Sequence, residues 1–282
     1  MHDYKKLIFK AGLEVHQQLD TKKLFCNCPS LVNDPNPDFR EVKRRLTITE
    51  GESGKKDIAA EFESKKQKSF IYQAKETSSC LVELDESPPY PINQDALKVA
   101  LQISKLVNAE IIPVVQVMRK LVIDGSNVSG FQRTALVARN GYIITSKGKI
   151  TIPAIYLEEE AAKKISETNE TVTYSLDRLG VPLIEISTGP ELQDPAQVQE
   201  AASIIGMIFR STEKVKRGIG SIRQDVNLSI KDNPRIELKG FQDLRSIPKV
   251  IDNEIERMQK EKEKLPHVRK VEPNLTSSFL RP

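Results

Sequence analysis

The chain has 282 residues, with 43 basic and 39 acidic side chains and a net charge of +4. Three cysteines and no tryptophan argue against a disulfide-stapled scaffold and against a nucleic-acid surface built on base stacking. No apolar run approaches the ~18–20 residues of a membrane span, and the N-terminus lacks the apolar core of a secretory signal. We therefore expect a cytoplasmic protein with no membrane partner, and the mild basic excess permits an RNA partner.

Residues 11–19 (AGLEVHQQL) alternate between apolar and polar side chains, which predicts a strand with one buried face. Leu13 and Val15 lie on the apolar face. Glu14 and His16 lie on the other face, about 7 Å apart, which is two strand rises. A carboxylate and an imidazole at that spacing can ligate one cation, or they can form the solvated face of an ordinary antiparallel strand.

The remaining elements follow from periodicity and capping signals. Residues 29–65, rich in proline, asparagine and charge, indicate a loose region. Asn93, the Asp194-Pro195 pair and Ser246 each mark a helix start. We expect helices at 94–107, 195–211 and 247–264, and strands at 70–72, 79–84, 111–117, 119–123, 141–145, 149–157, 171–176, 181–187, 222–230 and 235–239.

Four glutamates lie at the end of one predicted strand or inside another. Glu158, Glu159 and Glu160 end a strand, a pattern typical of a solvated helix N-terminus or of a site that gathers a hard cation. Glu185 is the only charge in the apolar run 181–187. If Glu185 is buried, its carboxylate must be paired or metal-bound.

The strands at 222–230 and 235–239 are joined by a short turn, which predicts an antiparallel hairpin. Alternation puts its polar residues on one face, namely Arg223, Asp225, Asn227, Glu237 and Lys239. Mixed charges at this density suit a bound metal–phosphate complex, and equally a face of cross-strand ion pairs.

The loop at 124–133 (DGSNVSGFQR) has two glycines and two serines, but it lacks the spacing of a Walker loop. It is either a plain connection or a contact for a nucleotide or an RNA end.

Cys26 and Cys28 form a C-x-C pair, and Cys80 lies 52 positions beyond Cys28. A zinc site needs a fourth ligand, for which the nearby Glu83 is a poor substitute for a thiolate. We therefore expect buried thiols rather than zinc at Cys26, Cys28 and Cys80.

Six segments, in order, closely resemble the family of the archaeal E-type subunit of glutamyl-tRNA(Gln) amidotransferase and, more distantly, the bacterial B-type subunit family. They are GLEVHQQLDTKKLFCNCP, SSCLVELDESPP, RKLVIDGSNVSGFQRT, YLEEEAAK, LDRLGVPLIEIST and GIGSIRQDVNLSI. The resemblance implies an α+β fold, an antiparallel-sheet cradle akin to the catalytic fold of glutamine synthetase and the guanidino kinases. It also implies a catalytic domain at 1–265 and, at 266–282, the start of a further segment of a longer polypeptide.

The resemblance implies a ligase of protein biosynthesis that forms a carbon–nitrogen bond. ATP, with Mg²⁺, would phosphorylate the glutamyl γ-carboxylate of misacylated Glu-tRNA(Gln). Ammonia from a partner amidase (the D-type subunit, in a heterodimer or heterotetramer) would then displace phosphate to give Gln-tRNA(Gln). The alternative is a non-catalytic module that binds tRNA and docks the amidase.

The resemblance also assigns roles residue by residue. It implies a metal site at Glu14, His16, Glu158 and Glu185, with Asp225 and Glu237 as further metal positions. Catalytic roles fall to Glu158, Glu185, Arg223 and Lys239, and contacts to the nucleotide fall to Arg119, Lys120, Ser126, Asn127 and Asn227. Many bacterial relatives carry a four-cysteine zinc site, whose fourth cysteine is replaced here by Glu83.

Overall fold

The strands form two sheets, and helices pack against the larger one. The structure is a computed structural model, and it describes residues 2–47, 54, 56–65 and 68–264. The predicted domain boundary at residue 265 lies outside the described residues. The strands are β1 (Lys10–Gln18), β2 (Arg40–Arg45), β3 (Ser69–Ala74), β4 (Glu110–Ile111), β5 (Val117–Leu121), β6 (Phe131–Thr145), β7 (Gly148–Glu159), β8 (Lys163–Glu167), β9 (Thr171–Ser175), β10 (Pro182–Ser187), β11 (Ile222–Ser229) and β12 (Ile236–Phe241). The helices are α1 (Ile58–Ser64), α2 (Gln94–Leu106), α3 (Pro195–Ser211) and α4 (Ile247–Lys264).

The large sheet has eight strands in the order β12-β11-β1-β10-β7-β6-β4, and β5 also pairs with β6. All of these pairs are antiparallel, so the expected α+β architecture on antiparallel sheet is confirmed. The N-terminal strand β1 lies inside the sheet, between β10 and β11. The alternating stretch at 11–19 is therefore a central strand.

One face of the large sheet is apolar and forms the main core with α2, α3 and α4. From β1 it presents Leu13 and Val15, which are buried as their alternation predicts. Asn93 caps α2 by accepting from two backbone N–H groups, and Asp194 does the same for one N–H of α3, so both predicted helix starts are confirmed. Among the described residues, no helix is long and apolar enough to cross a membrane.

The second sheet has four strands in the order β2-β3-β9-β8, and β3 and β9 pair in parallel. It has its own small core around Phe70, Tyr72 and Tyr174. The segment 29–65, which the sequence predicted to be loose, contains one strand, β2, and one helix, α1.

Three local predictions are wrong. Residues 79–84 form turns instead of a strand, because the carboxylate of Glu83 accepts the N–H of Cys80 (2.7 Å) and folds the segment back. The pair of strands at 111–123 is reduced to short β4 and β5, separated by a proline-containing break. Helix α4 begins at Ile247 as predicted, but the hydroxyl of Ser246 does not cap it and donates instead to the carbonyl of Asp243 (2.6 Å), which caps the preceding turn.

Candidate functional site

The polar residues of β1, β10 and β11 lie on the face of the large sheet opposite the helices. His16 lies directly opposite Glu185 on one side and Arg223 on the other, and Glu14 lies opposite Asp225. Directly opposed residues share a face of an antiparallel sheet. The register of three strands therefore collects these five side chains on one surface, which we call the carboxylate face.

The same face extends over the flanking strands. On β7, Glu158 lies opposite Leu183 and Thr134, and on β12, Glu237 lies opposite Asn227. Glu158 is buried, and its Oε2 accepts a hydrogen bond from the hydroxyl of Thr134 (3.1 Å). The three consecutive glutamates at 158–160 are all buried, so they are not a solvated helix start.

His16 lies at the centre of the carboxylate face. Its Nε2 is 3.4 Å from Oε1 of Glu14 and 3.4 Å from Oε2 of Glu185. The ring is buried, and its Nδ1 has no hydrogen-bond partner among the described residues. Because buried polar atoms are nearly always satisfied, this nitrogen needs a partner such as a water molecule or an ion.

Burial and mutual repulsion set the protonation of the carboxylates. Burial, followed by the charge of Glu185, raises the pKa of Glu14 and of Glu158. Burial would also raise the pKa of Glu185, but the hydrogen bond and charge of His16 and the charge of Lys120 outweigh it and hold that pKa below its ordinary value. A bound cation would favour the ionised form of all three carboxylates.

Two groups of potential metal ligands share His16. One is Glu14, His16 and Asp225, the other is His16, Glu158 and Glu185, and within each group the ligand atoms lie within 4.8 Å of one another. The carboxylates fit a hard divalent cation such as Mg²⁺, while the imidazole is a donor more typical of transition metals. Glu237 belongs to neither group, and it pairs instead with Lys239 (3.1 Å).

A β-bulge fixes the position of Asp225. The register between β11 and β12 shifts between Gln224 and Val226, which leaves Lys239 and Gly240 opposite Asp225. Gly240 adopts a φ of 80°, and its N–H donates to Oδ1 of Asp225 (2.7 Å). The other oxygen, Oδ2, lies 3.6 Å from Nε of Arg223.

The two predicted nucleotide contacts on β5, Lys120 and Arg119, lie on opposite faces of the sheet. The charge of Lys120 opposes the rise in the pKa of Glu158 and helps to lower the pKa of Glu185, so its ammonium group acts on the carboxylate face. Arg119 points to the other face, where its guanidinium lies 5.5 Å from the ring centroid of Phe131.

Ser126 and Asn127 lie in a loop that is tied to the second sheet. The hydroxyls of Tyr72 and Tyr174 donate to the carbonyls of Gly125 and Asp124, and Ser126 donates its hydroxyl to the carboxylate of Asp124. Gly125 has a φ of 80°, and a Cβ there would lie 2.4 Å from the ring of Phe70. The structure thus anchors the loop, and it buries Asn127 beside a small cavity that Glu83 and Arg133 also line.

Sequence reasoning missed the residues that hold the carboxylates in place. Thr134 bonds Glu158, Gly240 bonds Asp225, and Gln18 donates to Oε2 of Glu160 (3.1 Å). Alternation already places Gln18 on the face of Glu14 and His16, although it does not reveal the hydrogen bond to Glu160. The other two depend on strand register, which the sequence does not reveal.

A third ligand group lies away from the carboxylate face. Cys26, Cys28, Cys80 and Glu83 each offer one ligand atom, and the four atoms lie within 4.8 Å of one another. Oε1 of Glu83 is 2.9 Å from Sγ of Cys26 and 3.8 Å from the fully buried Nζ of Lys23. We call this group the thiol cluster. Three sulfurs and one carboxylate oxygen match a zinc site in the number and type of donors, with Glu83 as the fourth ligand that the sequence did not favour.

The thiols of this cluster differ in their protonation. Burial raises the pKa of Cys80 to about 11, whereas the hydrogen bond from Cys26 lowers the pKa of Cys28 to about 7. The same hydrogen bond, together with burial, raises the pKa of Cys26. Cys28 therefore has the most thiolate character of the three, and thiolate is the form that ligates a metal.

Residues 9–280 match the family model described as the GatB/GatE catalytic domain. The chain is similar to the E-type subunit of glutamyl-tRNA(Gln) amidotransferase from Methanocaldococcus jannaschii, with 54% identity over 254 residues covering 90% of this chain and 40% of the relative. The same subunit of Methanosarcina acetivorans is 51% identical over 257 residues, covering 91% of this chain and 40% of the relative. The chain spans about 40% of the length of the curated relatives it matches.

Proposed function

Because this chain belongs to the GatB/GatE catalytic-domain family, we propose that it carries the phosphoryl-transfer and amidation site of a glutamyl-tRNA(Gln) amidotransferase. The substrates are misacylated Glu-tRNA(Gln), ATP and ammonia, and the products are Gln-tRNA(Gln), ADP and phosphate. The observation that supports this proposal is the pair of ligand groups that share His16 on one open face. The proposal includes a kinship of the antiparallel cradle with the glutamine synthetase and guanidino-kinase catalytic fold.

The reaction needs anionic groups that hold a cation and cationic groups that stabilise phosphoryl oxygens, and the carboxylate face has both. A carboxylate is a poor acceptor for ammonia until its oxygen is phosphorylated, which turns that oxygen into part of a leaving group. Mg²⁺, when bound, would neutralise charge on the phosphoryl oxygens. Glu14, His16, Glu158, Glu185 and Asp225 would hold the cation.

The cationic residues flank the ligand groups on both sides. Lys120 acts on Glu158 and Glu185 from β5, and Arg223 lies beside Asp225 from β11. Lys239 is mostly exposed, and its pKa is raised by its hydrogen bond to Glu237. Donors so placed would stabilise the charge that develops on the transferred phosphoryl group. Asn227, on the same face of β11, would contribute an amide donor.

Ammonia in this proposal comes from a partner amidase, which the relatives' description as one subunit of an amidotransferase suggests. A docking module without catalysis would explain the family membership but would not need the buried glutamates around His16. The ligand groups therefore favour a catalytic role over a docking role.

The decisive variant is Glu185→Gln, which keeps the shape of the side chain and removes its charge. We expect ADP formation from ATP, dependent on Glu-tRNA(Gln), to fall by on the order of 100-fold, the loss seen when one stabilising group is removed from a transition state. Ammonium chloride replaces the amidase, so this chain can be assayed without a partner. The control is Glu110→Gln, an exposed glutamate on β4. Equal rates for the two variants would refute the catalytic role.

A further inference from the structure

A cavity of about 350 Å³ lies against the second sheet. It is lined by residues of β3, β8 and β9 and by the segment 33–39, which we call the strap. No residue of the two ligand groups on the carboxylate face lines it. The chemistry of this cavity is therefore set by residues that the proposed reaction does not use.

Ser175 gives this cavity a hydroxyl that lacks a partner. The residue is only 4% exposed, it lines the cavity, and its Oγ has no hydrogen-bond partner among the described residues. Strand pairing fixes its position on β9, between Gln73 of β3 and Lys163 of β8. Because buried hydroxyls are nearly always satisfied, Ser175 needs a partner that the cavity can hold.

Two ammonium groups line the same cavity. Nζ of Lys75 donates to the carbonyl of Asp34 (2.5 Å), and this bond ties β3 to the strap side. Nζ of Lys163 donates to Oδ1 of Asn33 (2.5 Å). An ammonium group has three N–H donors, so each lysine keeps two of them for a ligand.

Two buried carboxylates complete the charged lining. Those of Asp34 accept the N–H of Asn36 (3.0 Å) and the hydroxyl of Thr77, and those of Asp177 accept the N–H groups of Arg178 (2.8 Å) and Asp34 (3.2 Å). Burial would raise the pKa of Asp34, but the hydrogen bonds from Thr77 and Asn36 outweigh it and hold that pKa below its ordinary value. A carboxylate has about four acceptor sites, so both can still accept from a ligand.

The balance of charge in the lining selects the class of ligand. Two cations and two anions line the cavity, so an inorganic anion would face the carboxylates and a metal ion would face the lysines. A molecule with one ammonium and one carboxylate group complements both pairs. The volume lies near the lower end of the range of ligand pockets, about 300–1,000 Å³, which indicates a small ligand. Phe39 and Ile165, each about half exposed, add apolar surface to the lining.

We propose that this cavity binds a free α-amino acid. The two aspartates take its ammonium group, the two lysines take its carboxylate, and the hydroxyl of Ser175 donates to the same carboxylate. The side chain of the ligand packs against Phe39 and Ile165. Because the two lysines also donate to Asn33 and Asp34, the bound amino acid links the strap to the second sheet. This site is additional to the proposed function and supplies no group to the carboxylate face.

The test is isothermal titration calorimetry of the intact 282-residue chain with the common L-amino acids, beginning with L-glutamine and L-leucine. We expect at least one of them to bind, and Ser175→Ala to weaken that binding about 10-fold, the effect of one lost hydrogen bond to a charged group. The matched control is Ser166→Ala, an exposed serine on β8, which should bind as the wild type does.

Two analogues of the amino acid that binds best separate its two charges. The amine that lacks the carboxylate and the N-acetyl derivative that lacks the ammonium group should each bind at least about 10-fold more weakly. Lys75→Gln should weaken binding of the amino acid but not of the amine, whereas Lys43→Gln, an exposed lysine on β2, should change neither. Lys75 is the better choice because Lys163 also lines a larger cavity at the end of β1.

Three results would overturn the inference. One is the absence of binding by every amino acid at millimolar concentration, and another is equal affinity in Ser175→Ala and Ser166→Ala. The third is binding of inorganic phosphate or of Mg²⁺ that Ser175→Ala weakens while no amino acid competes, which would assign the cavity to an ion. ADP formation by Glu185→Gln is measured without free amino acids, so its outcome and this one are independent.

Discussion

The carboxylate face and the thiol cluster both gather potential metal ligands, yet they are built in opposite ways. The ligands of the carboxylate face come from β1, β7, β10 and β11, which are far apart in the chain and are aligned by strand register. The ligands of the thiol cluster come from two turns, at 26–28 and 80–83. The first surface has flanking cations such as Arg223, and the second has one buried cation, Lys23, at 3.8 Å from Glu83.

Catalytic and structural metal sites differ in a comparable way. Catalytic metal sites keep a position free for substrate, whereas structural zinc sites fill all four positions with protein. The thiol cluster offers four donors to one centre. Its Glu83 borders the small cavity that Asn127 and Arg133 also line. We therefore expect the two regions to respond independently to mutation and to metal.

The strongest test of that independence is His16→Ala, which removes the ligand common to both groups on the carboxylate face. We expect the affinity for Mg²⁺ or Mn²⁺, measured by isothermal titration calorimetry, to fall by more than about 100-fold, since loss of even an outer-shell partner costs about 10–100-fold. Zinc content should not change. The control is His2→Ala, near the N-terminus. Unchanged affinity in His16→Ala would show that the metal does not bind on this face.

Glu83→Ala tests the other region. If the thiol cluster holds zinc, protein from zinc-supplemented culture contains one zinc per chain, and the variant loses most of it, as measured by plasma mass spectrometry. The melting temperature should fall by about 2–4 °C for each kcal/mol lost in a chain of this size. Glu83→Cys should retain zinc, because it completes four thiolates. Wild-type protein free of zinc would show that the donors are simply buried thiols, as expected from the sequence.

The smallest expected effect belongs to Gly240→Ala at the bulge that orients Asp225. An alanine there has open space for its Cβ but must keep a left-handed φ, which costs about 1–2 kcal/mol. We expect a modest loss of stability in urea and a few-fold loss of Mn²⁺ affinity through the displaced Asp225 carboxylate. Gly54→Ala, also at positive φ and open to solvent, is the matched control for stability. Identical Mn²⁺ affinities would show that the bulge serves folding only.

Periodicity and capping were enough to predict the parts of the fold that are local. Alternation in β1 separated Leu13 and Val15 from Glu14 and His16, and Asn93 and Asp194 marked the starts of α2 and α3. The structure divides the four residues that the family resemblance assigned to one metal site between two groups, Glu14 with His16 and Asp225, and Glu158 and Glu185 with His16. Their roles as ligands stay a prediction.

The parts that could not be predicted depend on long-range geometry. Residues 79–84 have the composition of a strand, but the Glu83 side chain folds them back through a hydrogen bond to Cys80. Likewise, the Arg119-Lys120 pair is adjacent in sequence, and only the register of β5 on β6 shows that the two side chains serve opposite faces. No propensity scale contains that information, because it arises from pairing.

The central position of β1 has a consequence for how the protein forms. β1 leaves the ribosome well before its neighbours in the sheet, β10 and β11, which are made about 170 and 210 residues later. Contacts of such high sequence separation slow folding and leave a hydrophobic strand unpaired until its partner strands have been made. The apolar side of β1 therefore needs protection during synthesis, and His16 acquires its surroundings only after β11 has been made.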